Sequence, residues 1–475
     1  MGLSIKRFAT IAVGYGLAKI ATSLAYITAM GSVASSIGFV SELDFMFAMT
    51  LASAVTAAGV VVGVRSGRLA SWQLSQIPAV LALGFGFLLG ATQVLAGFPP
   101  VLSALVLGAL CGFSTTILCA VWLEVFVAQA DAASAAYQII AALAIQGVVV
   151  SIVSSMPAMV AVLVSIASLA GSSVVLSWVR TAIAPPEEER TLERHRGSRF
   201  PLLQCYVCMF VLVGVIGILH TSVLGSSSEH IVGDVRMWMP LAVATGITVV
   251  LALATMKRPN PMGIYKACFP CMLVILSLLP FAGELLGSLV GLITITCYDV
   301  CGMMFLLFIV ERSRALGYSS YMLSALYMGG SGLFLFIGLS VGLLLGVLSA
   351  DYGFSLLTLL AFAAIYPLVI GLVLLARRAK LPSKSDGTAG GAVERQQPAF
   401  SGKRLEDIAS GADLTKRERE IFGFLVRGRS AKHIAETLYI SENTAWAHIK
   451  RVYAKTGVHS KQELMDLVEG DGDIR

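Results

Sequence analysis

The sequence predicts an all-α protein in two parts: a polytopic membrane domain of twelve helices in two six-helix halves, and a small C-terminal four-helix domain. Three observations predict this. Of 475 residues 57% are hydrophobic and only 13% charged, with a mean hydropathy of +0.83, which excludes an ordinary soluble chain. The charge is divided unevenly: residues 1–376 hold 30 charged side chains, about 8%, whereas residues 377–475 hold 32, about 32%. The apolar residues of the first part come in runs of about 20, the length a helix needs to cross a hydrocarbon core of roughly 30 Å, while those of the tail recur at helical spacing between capping signals. The formal net charge of +6 is too small to indicate nucleic-acid binding by itself.

Twelve spans follow in order, at 8–29, 43–64, 72–96, 101–127, 135–155, 157–182, 201–224, 235–255, 263–281, 286–310, 321–348 and 353–376. The fifth and sixth are separated by Ser154, Ser155, Met156 and Pro157, read as a tight turn. Short cytoplasmic loops accumulate Lys and Arg, and one set of alternate loops carries seventeen of them: Lys6, Arg7, Arg65, Arg68, Arg180, Arg190, Arg194, Arg196, Arg199, Lys257, Arg258, Lys266, Arg312, Arg314, Arg377, Arg378 and Lys380. The opposite set carries one, Arg236. This places both termini in the cytoplasm and requires an even number of spans. The first span follows a basic start, but its length and eleven successors make it an uncleaved anchor.

The longest polar interruption, 185–199, lies between the sixth and seventh spans and divides residues 1–376 into two halves. That layout resembles the major facilitator superfamily of transporters. Of that family's Gly-x-x-x-Asp-Arg-x-Gly-Arg loop after the second span, Arg65, Gly67 and Arg68 are present, while Val60 and Val64 stand for the first Gly and the Asp. Five GxxxG pairs, Gly59/Gly63, Gly86/Gly90, Gly108/Gly112, Gly287/Gly291 and Gly342/Gly346, are the number that 46 glycines produce by chance and are read as helix packing. All eight cysteines lie in apolar runs and behave as small hydrophobes. Cys205/Cys208 and Cys268/Cys271 have CxxC spacing, but no His or carboxylate stands nearby in sequence to complete a metal site.

Residues 377–412 read as a flexible cytoplasmic linker, rich in Ser, Gly, Pro and Gln from Pro382 onward. Residues 413–475 then show four short amphipathic helices. Thr415 with Glu418, and Ser460 with Glu463, fit the capping box, and Ser430 and Ser441 serve as N-caps between them. Gly428 ends the first helix, and 438–441 turn the second into the third. Ile421, Phe422, Leu425, Ile434, Leu438, Ile440, Ile449, Val452, Val458, Leu464 and Leu467 form the expected core. A short helix, a turn and a longer helix bearing Asn443, Thr444, His448, Lys450, Arg451 and Lys455 make a helix-turn-helix whose third helix enters the major groove.

The tail also resembles the LuxR-type (NarL/FixJ-like) regulators. The match runs through Leu414-Thr415-x-Arg417-Glu418-x-Glu420, Gly428, Lys432-x-Ile434-Ala435-x-x-Leu438, Ile440-Ser441-x-Asn443-Thr444, His448, Lys455 and Gly457-Val458. The resemblance implies base readout by Trp446, Ala447 and Lys450, with backbone contacts from Lys432, Asn443, Thr444 and Lys455. Arg451 is a further DNA candidate on the same helix. Ala445 stands where the family usually has Val, and Trp446 where Lys is common. Trp446 either reads a base or rests on the phosphate backbone; His448 either contacts DNA or hydrogen-bonds within the fold. In that family the fourth helix pairs two domains, so Leu464 and Leu467 either form a dimer contact or close the monomer core.

Ionisable groups deep in a span are costly and are functional candidates: Lys19, Glu124, His220 and Asp299, in the first, fourth, seventh and tenth spans, the helices that line the cavity of the resembling transporter fold. Lys19 and Asp299 each lie eleven residues from the cytoplasmic ends of their spans, roughly 17 Å deep, and are expected to form a buried ion pair that is either a reporter of ligand occupancy or purely structural. No P-loop, metal cluster or nucleophile paired with His appears, so no enzyme activity, cofactor or metal is expected. The reading is a one-component transcription regulator of the bacterial cytoplasmic membrane, sensing a small molecule. Its expected partners are a double-stranded DNA operator, the lipid bilayer, an unidentified ligand, a second copy of the DNA-binding domain and RNA polymerase. The rival is a working secondary transporter whose fused domain couples flux to expression.

Overall fold

A computed structural model describes the chain except for residues 1, 34–38, 71, 93–97, 130–131, 184–198, 221–237, 256–260, 317, 354, 381–407, 427–430, 439–441, 459, 461–462, 465–466 and 469–475. Every regular element among the described residues is a helix. The chain separates into two compact units, Met1–Pro382 and Ser383–Arg475.

The first unit contains α1 (Gly2–Val33), α2 (Phe39–Arg65), α3 (Ile77–Ala91), α4 (Pro100–Ala128), α5 (Ala132–Val153), α6 (Ala158–Ala182), α7 (Arg199–Leu219), α8 (Trp238–Thr255), α9 (Pro261–Ser277), α10 (Leu279–Leu316), α11 (Ser320–Tyr352) and α12 (Leu356–Lys380). Each of the twelve expected spans therefore overlaps one of these helices. Ten contain stretches long and apolar enough to cross a membrane, and the apolar stretches in α3 and α8 are shorter. The fifteen residues of α3 reach only about 22 Å at 1.5 Å per residue, because the helix starts at Ile77 and not at the expected Trp72. The turn between α5 and α6 falls where expected: Met156 N–H donates to the Val153 carbonyl at 3.0 Å, and Pro157 caps α6.

Within the first half, α1 packs on α5 and α6, and α2 on α4; within the second, α7 packs on α11 and α12, and α10 on α8 and α9. The halves meet along α2 with α11 and α5 with α8. Of the GxxxG pairs, Gly108/Gly112 has a definite packing role. A Cβ at either position would collide with the backbone carbonyl oxygen of Phe45 or Met49, so only glycine lets α4 and α2 approach this closely. A comparable close approach in the second half uses Gly217 and Gly338, where α7 and α11 meet backbone to backbone.

The second unit contains α13 (Lys416–Val426), α14 (Ala431–Leu438) and α15 (Glu442–Thr456), followed by helical residues at 463–464 and 467–468. Its core is Leu414, Ile421, Phe422, Leu425, Ile434, Ala445, Ile449, Val452, Val458 and Leu464, with Leu438 and Leu467 at the edge. Ile440, Gly428 and the expected N-caps Ser430 and Ser441 lie outside the described residues. α12 continues to Lys380, and 408–411 form a helical turn that places Ala409 in the core, with Ala412 N–H donating to the Ile408 carbonyl at 2.9 Å.

Candidate nucleic-acid interface and membrane cavity

The second unit is built around the start of α13. Thr415 N–H donates to Glu418 Oε2 at 2.9 Å, and Glu418 N–H donates to Thr415 Oγ1 at 3.4 Å, the reciprocal capping box read from the sequence. Ser460 and Glu463 form half of it: Glu463 N–H donates to Ser460 Oγ at 3.1 Å, and the second bond runs between side chains, Ser460 Oγ donating to Glu463 Oε1 at 3.0 Å. The Glu418 carboxylate is buried and also accepts a hydrogen bond from Lys455 Nζ at 2.8 Å. The Lys455 ammonium first, then the Thr415 amide, hold the Glu418 carboxyl well below the usual carboxylate range, at about 2.

Lys455 Nζ donates as well to the Asp413 carbonyl at 2.9 Å. The side chain expected on the phosphate backbone thus fastens the end of α15 to the start of α13. Arg417 Nη2 donates to the Leu438 carbonyl at 2.8 Å, tying α13 to the end of α14 where the turn begins. Gly457 ends α15 with φ +70°, a left-handed conformation that favours glycine.

These bonds fix the outward face of α15. Ala445, Ile449 and Val452 point into the core, so Trp446, Ala447, Lys450 and Arg451, offset from them by about 100° per residue, are all exposed. Thr444 is exposed too, and Trp446 has 49% of its surface accessible. The result is one continuous surface of two cations, an indole and a small side chain, suited to base edges and phosphates in a groove. His448 is half-buried with Nδ1 unpaired among the described residues. The side chains of Lys432 and Asn443 lie outside the described residues. Leu464 is fully buried in its own domain, which leaves it no surface for a dimer contact; Leu467 is half-buried.

The first unit encloses a cavity of about 360 Å³ whose wall includes Tyr15, Lys19, Trp122, Gln146, Tyr298, Asp299 and Tyr327. α1, α4, α7 and α10 all contribute to it, through Lys19, Trp122, Val213 and Asp299 among others. Of the four ionisable candidates it brings Lys19 and Asp299 together. They face one space, yet no N···O contact within 4.0 Å joins them among the ion pairs of the described residues. The expected direct ion pair is therefore not closed; the two side chains border one space. His220 is buried at the end of α7, and neither it nor Glu124 lines the cavity.

Glu124 belongs to a separate junction that the sequence reading missed. It is fully buried on α4, and Oε1 accepts the Trp72 backbone N–H at 2.7 Å. Oε2 accepts both Arg180 Nη2 at 3.2 Å and the Tyr321 hydroxyl. Arg180, in the last turn of α6, also donates to the Leu74 carbonyl at 2.8 Å and lies 5.7 Å from the Trp72 ring centroid. Trp72 has φ +65°, a conformation that costs a bulky residue on the order of 1–3 kcal/mol and that aims its N–H at the carboxylate. This is why α3 starts late. Because Tyr321 begins α11, the junction ties the α2–α3 loop, α4 and α6 of the first half to the second half. Sequence separations of 52, 56 and 197 residues hid it; the one available signal was a lone carboxylate inside an apolar helix.

All eight cysteines are free thiols, and among the described residues no group of three or more His, Cys, Asp or Glu could hold a metal ion.

Residues 412–468 match the family model described as bacterial regulatory proteins, luxR family. The chain is 40% identical over 80 residues to the transcriptional regulatory protein MctR of Rhizobium johnstonii, covering 17% of this chain and 37% of that protein. It is 46% identical over 50 residues to the spore germination protein GerE of Bacillus subtilis, covering 10% of this chain and 68% of that protein. Among solved structures, the first unit is similar to the fucose:proton symporter of Escherichia coli, at 13% identity and TM-score 0.46 over 78% of this chain and 98% of the other. It is also similar to a bacterial homologue of the iron transporter ferroportin, at 12% identity and TM-score 0.48 over 78% and 99%. The chain spans little more than a third of the length of MctR and two thirds of that of GerE, and through residues 412–468 it belongs to the bacterial regulatory proteins of the luxR family.

Proposed function

We propose that the chain is a one-component transcription regulator of the bacterial cytoplasmic membrane, in which a small molecule held in the cavity of the membrane unit controls operator binding by the helix-turn-helix. The observation that carries this reading is the presence, in one chain, of a luxR-family DNA-reading helix with an exposed Trp446, Ala447, Lys450 and Arg451 face and a cavity lined by two separated charges among apolar helices. The positive loops put the tail on the cytoplasmic side, where duplex DNA is available. Lys450 donates to guanine O6 and N7 in the major groove, while Arg451 and Thr444 hold the phosphates. A second copy of the domain and RNA polymerase complete the complex at the operator.

Chromatin immunoprecipitation of the tagged full chain tests the DNA half of this reading. Lys450→Ala is expected to lower occupancy of the sites bound by the wild type by about 10- to 100-fold, from the roughly 1–3 kcal/mol that a good base contact contributes, at equal protein level. Unchanged occupancy would remove α15 as the reading helix.

A further inference from the structure

The charges in the cavity wall define the class of molecule it takes, given the reading of that cavity as the regulator's ligand site. Lys19 on α1 and Asp299 on α10 border the same space without pairing directly. A neutral or singly charged occupant that displaced water would leave at least one of them buried without a directly hydrogen-bonded counter-charge, which is the costly arrangement. An occupant with one charge of each sign satisfies both.

The neutral groups of the wall agree with this. Gln146 is buried, and its Nε2 is committed to Ser23 Oγ at 2.7 Å, so the amide orientation leaves Oε1 as an acceptor. That Oε1 is buried and unpartnered among the described residues, which suits a donor with several protons, such as an ammonium. Ser331 Oγ, also in the wall, is likewise unpartnered. Trp122 Nε1 is used outside the cavity, donating to Ser172 Oγ at 3.2 Å, so its ring enters the lining as apolar surface beside Tyr15, Tyr298 and Tyr327. At about 360 Å³ the space falls at the lower end of small-molecule pockets, roughly 300–1,000 Å³.

We propose that the cavity binds a small aromatic zwitterion, with its carboxylate on the Lys19 ammonium, its ammonium on the Asp299 carboxylate and Gln146 Oε1, and its ring against Trp122 and the tyrosines. No covalent step is involved.

The experiment is a binding series on the full chain in lipid nanodiscs, followed by calorimetry and by operator footprinting in the same sample. The probes are phenylalanine, tyrosine and tryptophan, each with its decarboxylated amine and its deaminated acid. At least one zwitterion is expected to bind ten-fold or more tightly than both of its monopolar counterparts. Lys19→Gln should erase the advantage over the amine and Asp299→Asn the advantage over the acid, while Lys19→Arg and Asp299→Glu, which keep charge and fold, retain part of each. Equal binding of a monopolar counterpart, equal zwitterion affinity in wild type and both neutral variants, or no binding by any probe would overturn the assignment. A monopolar compound that binds and shifts the footprint would sink this ligand class and leave the sensor reading standing. A zwitterion that binds as expected without moving the footprint would do the reverse.

Discussion

The membrane unit contains two acid–base pairs, and the structure treats them in opposite ways. Glu124 and Arg180 are closed on each other, 3.2 Å apart, and both carboxylate oxygens accept hydrogen bonds, Oε1 from Trp72 and Oε2 from Arg180 and Tyr321. Lys19 and Asp299 are open, facing one cavity without contact. The difference teaches that a charge buried in a membrane helix is not by itself a ligand site. What separates a structural charge from an available one is whether its own chain has already satisfied it.

The largest expected effect breaks the closed pair. Glu124→Ala leaves the largely covered Arg180 guanidinium without its counter-charge and should destabilise the membrane unit by up to about 3–5 kcal/mol, read as the thermal unfolding of the full chain in detergent. Asp299→Asn, which removes an open charge, should change the same melting by less than about 1 kcal/mol. Equal losses would erase the distinction between the two pairs.

A smaller effect is expected at the third pair, Glu418 with Lys455, which lies outside the membrane. Glu418→Gln should cost the second unit roughly 1.5–3 kcal/mol at pH 7, the range for hydrogen bonds to a charged group. The folded carboxyl sits at about 2, below its ordinary value near 4.5, so this stability is fully present above about pH 5. It is lost as pH falls from there toward 2. Denaturant unfolding of wild type and variant across that window should therefore converge at low pH; a constant gap would show that the charge is not what holds α15 to α13.

The smallest effect on stability is expected at Trp446. With half of its surface exposed and no role in the core, Trp446→Ala should leave unfolding within about 0.5 kcal/mol. If the indole reads a base, the variant's selected operator should lose preference at one position; if it rests on the phosphates, affinity should fall evenly across sequences.

The tail was largely legible because its helices are amphipathic: the capping boxes at Thr415 and Ser460, the core from Ile421 to Leu464 and the exposed face of α15 all follow from local spacing. The bond from Lys455 to Glu418, 37 residues earlier, was not legible, because a lysine's sequence position does not reveal which carboxylate its ammonium meets. In the membrane unit the order and depth of the helices were readable from apolar runs and loop charge. Rotation about each helix axis was not, since a helix that is apolar all round carries no stripe to orient it. Depth therefore placed Lys19 and Asp299 at one level, whereas nothing local distinguished them from Glu124 and His220, which face away from the cavity. Trp72 was read as the start of a span for the same reason; its left-handed turn answers to a carboxylate 52 residues away.

The claim at the centre of this account is that the open charges of the cavity control the DNA-reading helix. The direct measurement is operator occupancy by the full chain in cells, with the wild type, Lys19→Gln, Asp299→Asn and Lys450→Ala at equal protein levels. The account predicts that Lys450→Ala lowers occupancy by about 10- to 100-fold and that each cavity variant shifts it about ten-fold or fixes it against growth conditions that move the wild type. Occupancy identical to wild type in both cavity variants, under every condition that changes the wild type, would contradict it.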